Sequence, residues 1–228
     1  MNLFKFIFSF LYPVTVEEIS GKYNPVLEVR IENGKYVLNA ALANYSFGKL
    51  HQIFLNAFKQ IKIGEKEIKN VLLLGFGGGS VPVLLFEKFK MNCKITAVEI
   101  DQKVIDLGKK YFNIQRFENL ELICDDALEY VKNCNLKFDL VVVDIFIDNK
   151  VPSQFESGEF LASLKSLMKN KSILLFNKIV ELENEAESFA KLVEKAENIF
   201  SEIQVLNIYE NKLIVANENT GTNKAGML

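Results

Sequence analysis

The stretch that decides the fold is Val71-Leu-Leu-Leu-Gly-Phe-Gly-Gly-Gly-Ser80. Four apolar residues run directly into glycines, which is typical of a buried strand that ends where the backbone approaches a ligand closely, because glycine has no Cβ. A helix-like run follows at once over residues 81–89. Strand, glycine loop and helix in this order predict the start of an α/β domain that binds a nucleotide or nucleoside.

Strand and helix patterns alternate through the rest of the chain. After the first strand, four more are predicted at 94–99, 120–124, 138–143 and 172–176, with helices at 102–112, 127–132, 155–168 and 181–200. Such alternation predicts a three-layer sandwich with a mostly parallel sheet. The last two β-like segments, 203–209 and 213–216, are too close for a crossover and must pair antiparallel. That terminal hairpin separates a Rossmann-like class I methyltransferase fold from a plain dinucleotide-binding fold.

The residues before this domain predict a small separate unit. Apolar alternation over 27–31 resumes at 36–38 after Asn33-Gly34, which predicts a β-hairpin with positive φ at both turn residues. From Phe47 to Ile61, apolar residues at helical spacing predict a helix that packs on the sheet. We therefore expect an N-terminal helix and β-hairpin unit (1–45), a methyltransferase-like α/β domain (46–217) and a disordered tail (218–228).

Composition excludes several classes of function. The 27 basic and 29 acidic residues nearly cancel, so no global field attracts nucleic acid or an anionic membrane. The phenylalanine-rich start, 1–11, is shorter than the roughly 20 residues that span a bilayer, so we expect burial or a partner contact in preference to membrane association, with a homodimer as one option. Three cysteines without metal-ligand spacing predict packing roles, no metal, and a reduced, cytoplasmic location.

Carboxylates follow two of the predicted strands where a nucleoside would bind. Glu99 ends the second strand, 20 positions after Gly79, where a carboxylate can accept both hydroxyl hydrogens of a ribose. Asp101 opens the next helix and is expected to cap it. Asp125 and Asp126 follow the third strand, so one can accept a hydrogen bond from an adenine amine while the other caps the helix, or both can be caps.

The candidate catalytic residue is Asp144, at the end of the predicted fourth strand. Desolvation there would raise the pKa of its carboxyl, so that it could take a proton from a nucleophile near neutral pH. It could equally serve only as a hydrogen-bond acceptor for a substrate. The loop that follows, 145–154, is long enough to cover the cleft as a lid.

A dinucleotide is the alternative ligand for the glycine loop. The phosphate-binding fingerprint places its third glycine at position 80, which here is Ser80, and an isolated Gly-x-Gly is weak evidence in either direction. The terminal hairpin and Asp126-Ala127 favour an adenosyl ligand without phosphates.

At this point the sequence resembles the spermidine synthase family of class I S-adenosylmethionine-type transferases. The similarity covers roughly 70–180, and it rests on the glycine stretch and four further blocks: Ala97-Val-Glu-Ile-Asp-Gln-Lys-Val-Ile, Asp126-Ala-Leu-Glu-Tyr, Phe138-Asp-Leu-Val-Val-Val-Asp and Gly158-Glu-Phe-Leu. The resemblance implies that Glu99 holds the ribose, Ile100 packs on adenine, Asp126 with Ala127 meets the adenine amine, and the methionine portion lies against Gly75, Gly77 and Gly79. The tyrosine-x5-histidine spacing of Tyr45 and His51 is similar to a pair that the family places near its ligand, although His51 could be an ordinary helix residue.

Two departures from the family bear on the reaction. Polyamine synthases carry an aspartate in the first loop where this chain has Gly78, and that aspartate helps to hold the amino end of the ligand. They also carry Asp-Ser-Ser-Asp-Pro after the fourth strand, where this chain reads Asp144-Ile-Phe-Ile-Asp148. An extended cationic amine would lose its expected carboxylate partners, and unpaired ammonium groups are costly to desolvate. These differences argue against spermidine synthesis.

The sequence therefore predicts a transferase that uses S-adenosylmethionine, with a methyltransferase acting on a small-molecule acceptor as the first hypothesis. Aminopropyl transfer from decarboxylated S-adenosylmethionine is the alternative reaction. A nicotinamide-dependent oxidoreductase and a non-catalytic adenosyl-binding protein remain as further hypotheses.

Overall fold

A computed structural model describes residues 3–40, 44–147 and 150–218, without the side chains of 44 and 45. The N-terminal unit begins with a short helix, α1, and continues as an antiparallel sheet of four strands in the order β1-β2-β3-β4. Its elements are α1 (Leu3–Phe8), β1 (Val14–Ile19), β2 (Leu27–Glu32), β3 (Lys35–Ala40) and β4 (Asn44–Ser46).

The predicted hairpin is the β2–β3 pair. Its turn residues Asn33 and Gly34 have φ of 49° and 77°, so the expected positive φ is confirmed. The sequence predicted only this hairpin, whereas the structure has a four-stranded sheet in which β1 and β4 add one strand on each side. β1 shows no clean alternation in sequence, since its pairing with β2 shifts register between Thr15 and Glu17.

The α1 helix lies on the surface. Ser9 holds it to the β2–β3 turn, because its carbonyl accepts the Asn33 N–H at 2.9 Å and its hydroxyl accepts the Gly34 N–H at 3.0 Å. The large apolar side chains remain exposed, with Leu3 at 72% and Phe4 at 68%. Burial of this segment within the chain was therefore a wrong prediction.

The α/β domain follows the predicted alternation closely. Most predicted bounds agree with the structure to within two residues, and the fifth parallel strand is longer than expected. The elements are α2 (Gly48–Gln60), β5 (Asn70–Leu74), α3 (Ser80–Val83, continued by a wider helical turn over Leu84–Lys88), β6 (Lys94–Glu99), α4 (Gln102–Phe112), β7 (Leu120–Cys124), α5 (Ala127–Asn133), β8 (Phe138–Val143), α6 (Gly158–Leu167), β9 (Met168–Ile179), α7 (Glu183–Ile199), β10 (Glu202–Ile208) and β11 (Asn211–Glu218).

These strands form one seven-stranded sheet in the order β10-β11-β9-β8-β5-β6-β7. β5 pairs in parallel with both β6 and β8, and β9 pairs in parallel with β8. β11 is antiparallel to both β9 and β10, so the terminal hairpin is confirmed. The chain order reverses direction between β5 and β8, and ligands of such sheets bind beyond the carboxyl ends of the strands at that point.

Two apolar clusters cover the two faces of the sheet. One joins the N-terminal sheet and α2 to the β5 and β6 side chains, with Phe54 and Phe58 fully buried. The other packs α6 and α7 on the opposite face around Phe176. Two buried faces explain why β8 is apolar at nearly every position.

The remaining expectations about the fold concern the cysteines, membrane-spanning helices and the C-terminal tail. Cys93 is buried and Cys134 half-buried, but Cys124 is exposed at the end of β7, so a packing role was a wrong prediction for it. In the described part of the chain, no helix is long and apolar enough to cross a membrane. The tail prediction falls on 219–228, which lie outside the described residues.

Candidate functional site

A cavity of about 340 Å³ opens beyond the carboxyl ends of β5, β6, β7 and β8. Two sides of it can be distinguished by the strands that build them. The β6–β7 side consists of Val98, Glu99, Ile100, Asp125, Asp126 and Ala127. The β8–β11 side consists of Asp144, Ile145, Phe146, Ile147, Ile179, Glu181, Glu210 and Asn211, while Tyr23, Asn24, Lys49, Leu50, Ile53, Gly75, Gly77, Pro152, Gln154 and Phe155 complete the wall.

The floor between the two sides is the junction of β5 and β8. The Asp144 N–H donates to the Leu74 carbonyl at 2.8 Å, and the Gly75 N–H donates to the Val98 carbonyl at 2.9 Å. Gly75 has a φ of 85°, and a Cβ on it would lie 2.1 Å from the Asp144 carbonyl oxygen. Only glycine fits this contact, which explains why the apolar strand ends in that residue.

Glu99 is held by the backbone of the glycine loop. Its Oε2 accepts the N–H groups of Phe76 at 3.2 Å and Gly77 at 3.1 Å, and its Oε1 accepts the N–H of Asp101 at 3.1 Å. The side chain is 8% exposed, and burial raises its pKa while the three donors oppose that rise. A carboxylate accepts about four hydrogen bonds. Three of these sites on Glu99 are occupied, so about one is left. To accept hydrogen bonds from both ribose hydroxyls, Glu99 would have to lose one of its backbone hydrogen bonds.

Asp101 caps α4, as expected, because its Oδ1 accepts the Lys103 N–H at 3.0 Å. Its second oxygen has another partner, the Lys22 N–H at 2.8 Å. The loop between β1 and β2 is thereby anchored over the carboxyl end of β6. The next two residues of that loop, Tyr23 and Asn24, line the cavity. The N-terminal unit therefore supplies part of the cavity wall.

Asp126 caps α5 through Oδ1, which accepts the Leu128 N–H at 2.7 Å. Its Oδ2 has no hydrogen-bond partner among the described residues. Asp125 is exposed, and its Oδ1 accepts the Asp126 N–H at 2.8 Å. Both line the cavity beside Ile100 and Ala127. The capping oxygen and a free oxygen thus belong to one residue, Asp126, rather than to two neighbouring carboxylates.

Asp144 lies where β8 meets the cavity, and it is half-buried. Burial raises the pKa of its carboxyl to about 7, and the negative charge of Glu99 acts in the same direction. A hydrogen bond from Asn177 Nδ2 to Asp144 Oδ1, at 2.8 Å, opposes the rise. Such a carboxyl can both hold and release a proton near neutral pH, which a general base requires.

The β8–β11 side combines apolar walls with charged groups. Ile145, Phe146 and Phe155 provide apolar surface from the loop after β8. Lys49, from the start of α2, forms an ion pair with Glu210 in the turn between β10 and β11. The predicted lid therefore lines the cavity, although its residues 148 and 149 lie outside the described part of the chain.

The three glycines assigned to the ligand have different surroundings. Gly75 and Gly77 line the cavity. Gly79, with a φ of 100°, caps α3 and faces Phe76 and Ile114, so it is not brought to the cavity wall. Gly78 lies against the N-terminal sheet: a Cβ on it would be 2.8 Å from the Ser46 Cβ and 3.1 Å from a Phe112 ring carbon.

The structure describes the side chain of only one member of the predicted pair Tyr45 and His51. The Tyr45 side chain is outside the described part of the structure. The His51 ring stacks on Phe47 with centroids 5.7 Å apart. Its Nδ1 is buried and has no hydrogen-bond partner among the described residues, and burial lowers the pKa of the ring. His51 is not among the residues that line the cavity.

Several cavity residues were not predicted from the sequence. Tyr23, Asn24, Lys49 and Asn211 lie outside the core motifs, and three of them come from the N-terminal unit or α2. The β1–β2 turn residues Gly21 and Pro25 were the available signal for a loop, but nothing local placed that loop over β6. Within residues 3–40, 44–147 and 150–218, no cluster of three His, Cys, Asp or Glu side chains is arranged to hold a metal ion.

Comparison with known proteins agrees with this architecture. The family described as the spermine/spermidine synthase domain matches residues 59–215, which is more than half of the chain. A polyamine aminopropyltransferase from Vibrio vulnificus is 32% identical over 112 residues, covering 48% of this chain and 37% of that protein. An eEF1A lysine and N-terminal methyltransferase homolog from Drosophila melanogaster is 28% identical over 120 residues, covering 48% of this chain and 17% of that protein.

A solved structure shares the fold. Human methyltransferase-like protein 13, crystallised in complex with SAH, superposes with a TM-score of 0.63 at 18% identity, covering 78% of this chain and 86% of that one. The match spans less than half the length of each of the two curated relatives. Those relatives transfer different groups, so the comparisons indicate a transferase without choosing between methyl and aminopropyl.

Proposed function

This chain belongs to the spermine/spermidine synthase domain family, and on that premise we propose that it is a methyltransferase that uses S-adenosylmethionine and acts on a small-molecule acceptor. The observation that carries the choice of methyl transfer is the packing of Gly78. A Cβ at this position would clash with Ser46 and Phe112, so the loop has no space for the acid that polyamine synthases use to hold the amino end of their ligand.

The residues of the β6–β7 side fit an adenosyl group. Ile100 and Ala127 offer apolar surface to a purine, and the free Oδ2 of Asp126 can accept from its exocyclic amine. Glu99 can accept from a ribose hydroxyl through its remaining acceptor site, and from the second hydroxyl if a backbone contact lengthens. Tyr23 and Asn24 close this part of the cavity from the N-terminal unit.

The bound sulfonium supplies the electrophilic methyl carbon. The protein aligns the nucleophile with the carbon–sulfur bond and keeps water out, and these effects account for much of the rate gain in such reactions. Asp144 orients the nucleophile and takes its proton as the new bond forms. With a pKa of about 7, a large fraction of its carboxyl groups are ionised and ready to accept at neutral pH.

Aminopropyl transfer is the second candidate, and one feature favours it. Glu181 and Glu210 line the β8–β11 side and could take the place of the missing second aspartate as partners for a cationic amine. Glu210 is already paired with Lys49, so only part of that charge is available. The apolar Ile145 and Phe146, where polyamine enzymes have serines, favour an acceptor with apolar surface.

Calorimetric titration with four ligands tests the proposal. S-adenosylmethionine and S-adenosylhomocysteine should bind at one site per chain, more tightly than decarboxylated S-adenosylmethionine, and NAD should not bind. Preferential binding of NAD, or no adenosyl binding, would overturn the proposal. Tight binding of the decarboxylated ligand alone, followed by spermidine production from putrescine, would establish the second candidate instead.

A further inference from the structure

Two buried asparagines lie behind Asp144. Asn177, within β9, has no exposed surface, and Asn211, the first residue of β11, is 4% exposed. Burying an amide is unfavourable unless its oxygen and its NH₂ group both find hydrogen-bond partners. Both ends of the Asn177 amide are paired, with Asn211 and with the candidate catalytic residue, and the NH₂ group of Asn211 is paired with Asn177.

The hydrogen bonds run in one direction. Asn211 Nδ2 donates to Asn177 Oδ1 at 2.9 Å, and Asn177 Nδ2 donates to Asp144 Oδ1 at 2.8 Å. Because an amide has one acceptor end and one donor end, the donor on Asn211 fixes which end of Asn177 faces Asp144. Asn211 therefore acts on Asp144 through Asn177.

This arrangement makes the two oxygens of Asp144 unequal. Oδ1 faces the Asn177 donor, so a proton on the carboxyl belongs on Oδ2. Oδ2 has no hydrogen-bond partner in the described part of the chain, and Asp144 lines the cavity. The free oxygen is the one that can meet an acceptor.

We propose that Asn177 and Asn211 are a positioning pair, which holds the Asp144 carboxylate by Oδ1 and presents Oδ2 to the acceptor. The role toward an acceptor rests on the proposed function. The orientation itself is a property of the chain without ligand. The two residues come from the antiparallel hairpin side of the sheet, which gives that hairpin a part in the chemistry as well as in the fold.

The surrounding charges set the direction of the effect. Glu99 faces Asp144 from β6, while Lys49 from α2, Glu181 after β9 and Glu210 from the β10–β11 turn line the same cavity. Of these groups, Glu99 is the one whose charge raises the pKa of Asp144, and burial acts in the same direction. If the Asn177 donor is lost, burial and the charge of Glu99 still raise the pKa of Asp144, and the hydrogen bond that opposed them is gone.

Titration of the protein labelled with ¹³C at the aspartate carboxyls tests this proposal without any ligand, and Asp144→Asn identifies the resonance. The Asp144 midpoint, about 7 in the native chain, should rise by about 1 pH unit in Asn177→Leu, because a hydrogen bond to the charged form is lost. Asn211→Leu should shift it in the same direction by less. Asn217→Leu is the matched control, since that amide donates to Glu202 at 3.2 Å near the other end of β11, and it should leave the midpoint unchanged.

An unchanged midpoint in Asn177→Leu would overturn the proposal. An unchanged midpoint in Asn211→Leu would show that Asn211 has no part in positioning Asp144. If Asn177→Leu does not fold, Asn177→Ser, whose side chain is too short to reach Asp144, replaces it with the same expectation. Calorimetry with S-adenosylhomocysteine separates the two proposals. The variants should bind it within about threefold of the native chain, whereas a native chain that binds no adenosyl ligand would refute the proposed function and leave the titration result standing.

Discussion

The β6–β7 side and the β8–β11 side of the cavity are built in different ways. On the β6–β7 side, Glu99 and Asp126 are fixed by backbone N–H groups within a few residues of a strand end or in the adjoining loop. On the β8–β11 side, Asp144 is fixed by Asn177, 33 positions away, and Asn177 in turn by Asn211. On the first side, the carboxylates are held by backbone donors of the glycine loop and of the residues that follow the strands, and on the second, the carboxylate is held by side chains that lie outside those motifs.

The difference matters for function. A motif that is fixed by the local backbone can be retained across a family while the opposite wall changes, because each wall is held by separate contacts. We therefore expect substitutions on the two sides to affect different measurements.

The largest effect is expected at Asp144, as a change in the pH dependence of stability. Its folded pKa, about 7, lies above the ordinary 3.8, so the native chain loses stability as the pH rises from about 4 to about 7. Asp144→Asn removes this loss and should be more stable than the native chain at pH 8 by roughly 2 to 4 kcal/mol. Urea unfolding at several pH values measures the gap, which should close toward pH 4.

The control for this prediction is Asp106→Asn, at an exposed position on α4. It should change the free energy of unfolding little at any pH. A gap between Asp144→Asn and the native chain that stays constant with pH would show that the Asp144 carboxyl is not held in a desolvating site.

The next effect concerns ligand affinity on the β6–β7 side. Glu99→Gln replaces an oxygen that faces backbone N–H groups or a ribose hydroxyl with an NH₂ group. The dissociation constant for S-adenosylhomocysteine should rise by about 30-fold, or about 2 kcal/mol, in a calorimetric titration. Glu121→Gln, in an exposed ion pair on β7, is the matched control and should bind normally. Equal affinities for the two variants would remove Glu99 from the binding site.

Gly78→Ala tests whether the Gly78 side of the glycine loop contacts the N-terminal sheet or the ligand. The added Cβ would lie 2.8 Å from the Ser46 Cβ, so the variant should lose about 1 to 3 kcal/mol of stability in urea unfolding. Its affinity for S-adenosylhomocysteine should stay within about threefold, because Gly78 does not line the cavity. Gly158→Ala is the control, because an added Cβ there meets no described atom within 4 Å. Native stability together with lost affinity would place the Gly78 face in the ligand site.

The smallest effect is expected for the ion pair at the edge of the β8–β11 side. Glu210→Gln breaks the contact with Lys49, and both side chains are about half exposed, so solvent screens their attraction. The melting temperature should stay close to that of the native chain, as in Glu187→Gln, which breaks an exposed pair on α7. A much lower melting temperature would mean that this pair holds α2 to the terminal hairpin.

The sequence predicts the β6–β7 side better than the β8–β11 side, for a physical reason. Buried parallel strands are continuous apolar runs and the residues at their ends follow in sequence, so Glu99, Asp126 and Asp144 could be located from the strands alone. The order of the parallel strands and the terminal hairpin follow from connection lengths.

Long-range contacts could not be predicted in this way. Asn177 follows the predicted strand 172–176 and Asn211 lies in the connection before the predicted segment 213–216, and only the pairing of β9 with β11 brings their side chains together. Tyr23 and Asn24 reach the cavity because Asp101 anchors their loop across 79 positions of sequence. The surroundings of Gly78 likewise depend on β4, which the sequence did not predict as a strand.

A crystal structure of the native chain soaked with S-adenosylhomocysteine tests the central claim most directly. The account predicts adenine between Ile100 and Ala127 with its amine at Asp126, the ribose at Glu99, and the sulfur facing Asp144 on the β8–β11 side. A ligand bound elsewhere, or an adenosyl group turned so that its sulfur points away from Asp144, would contradict it.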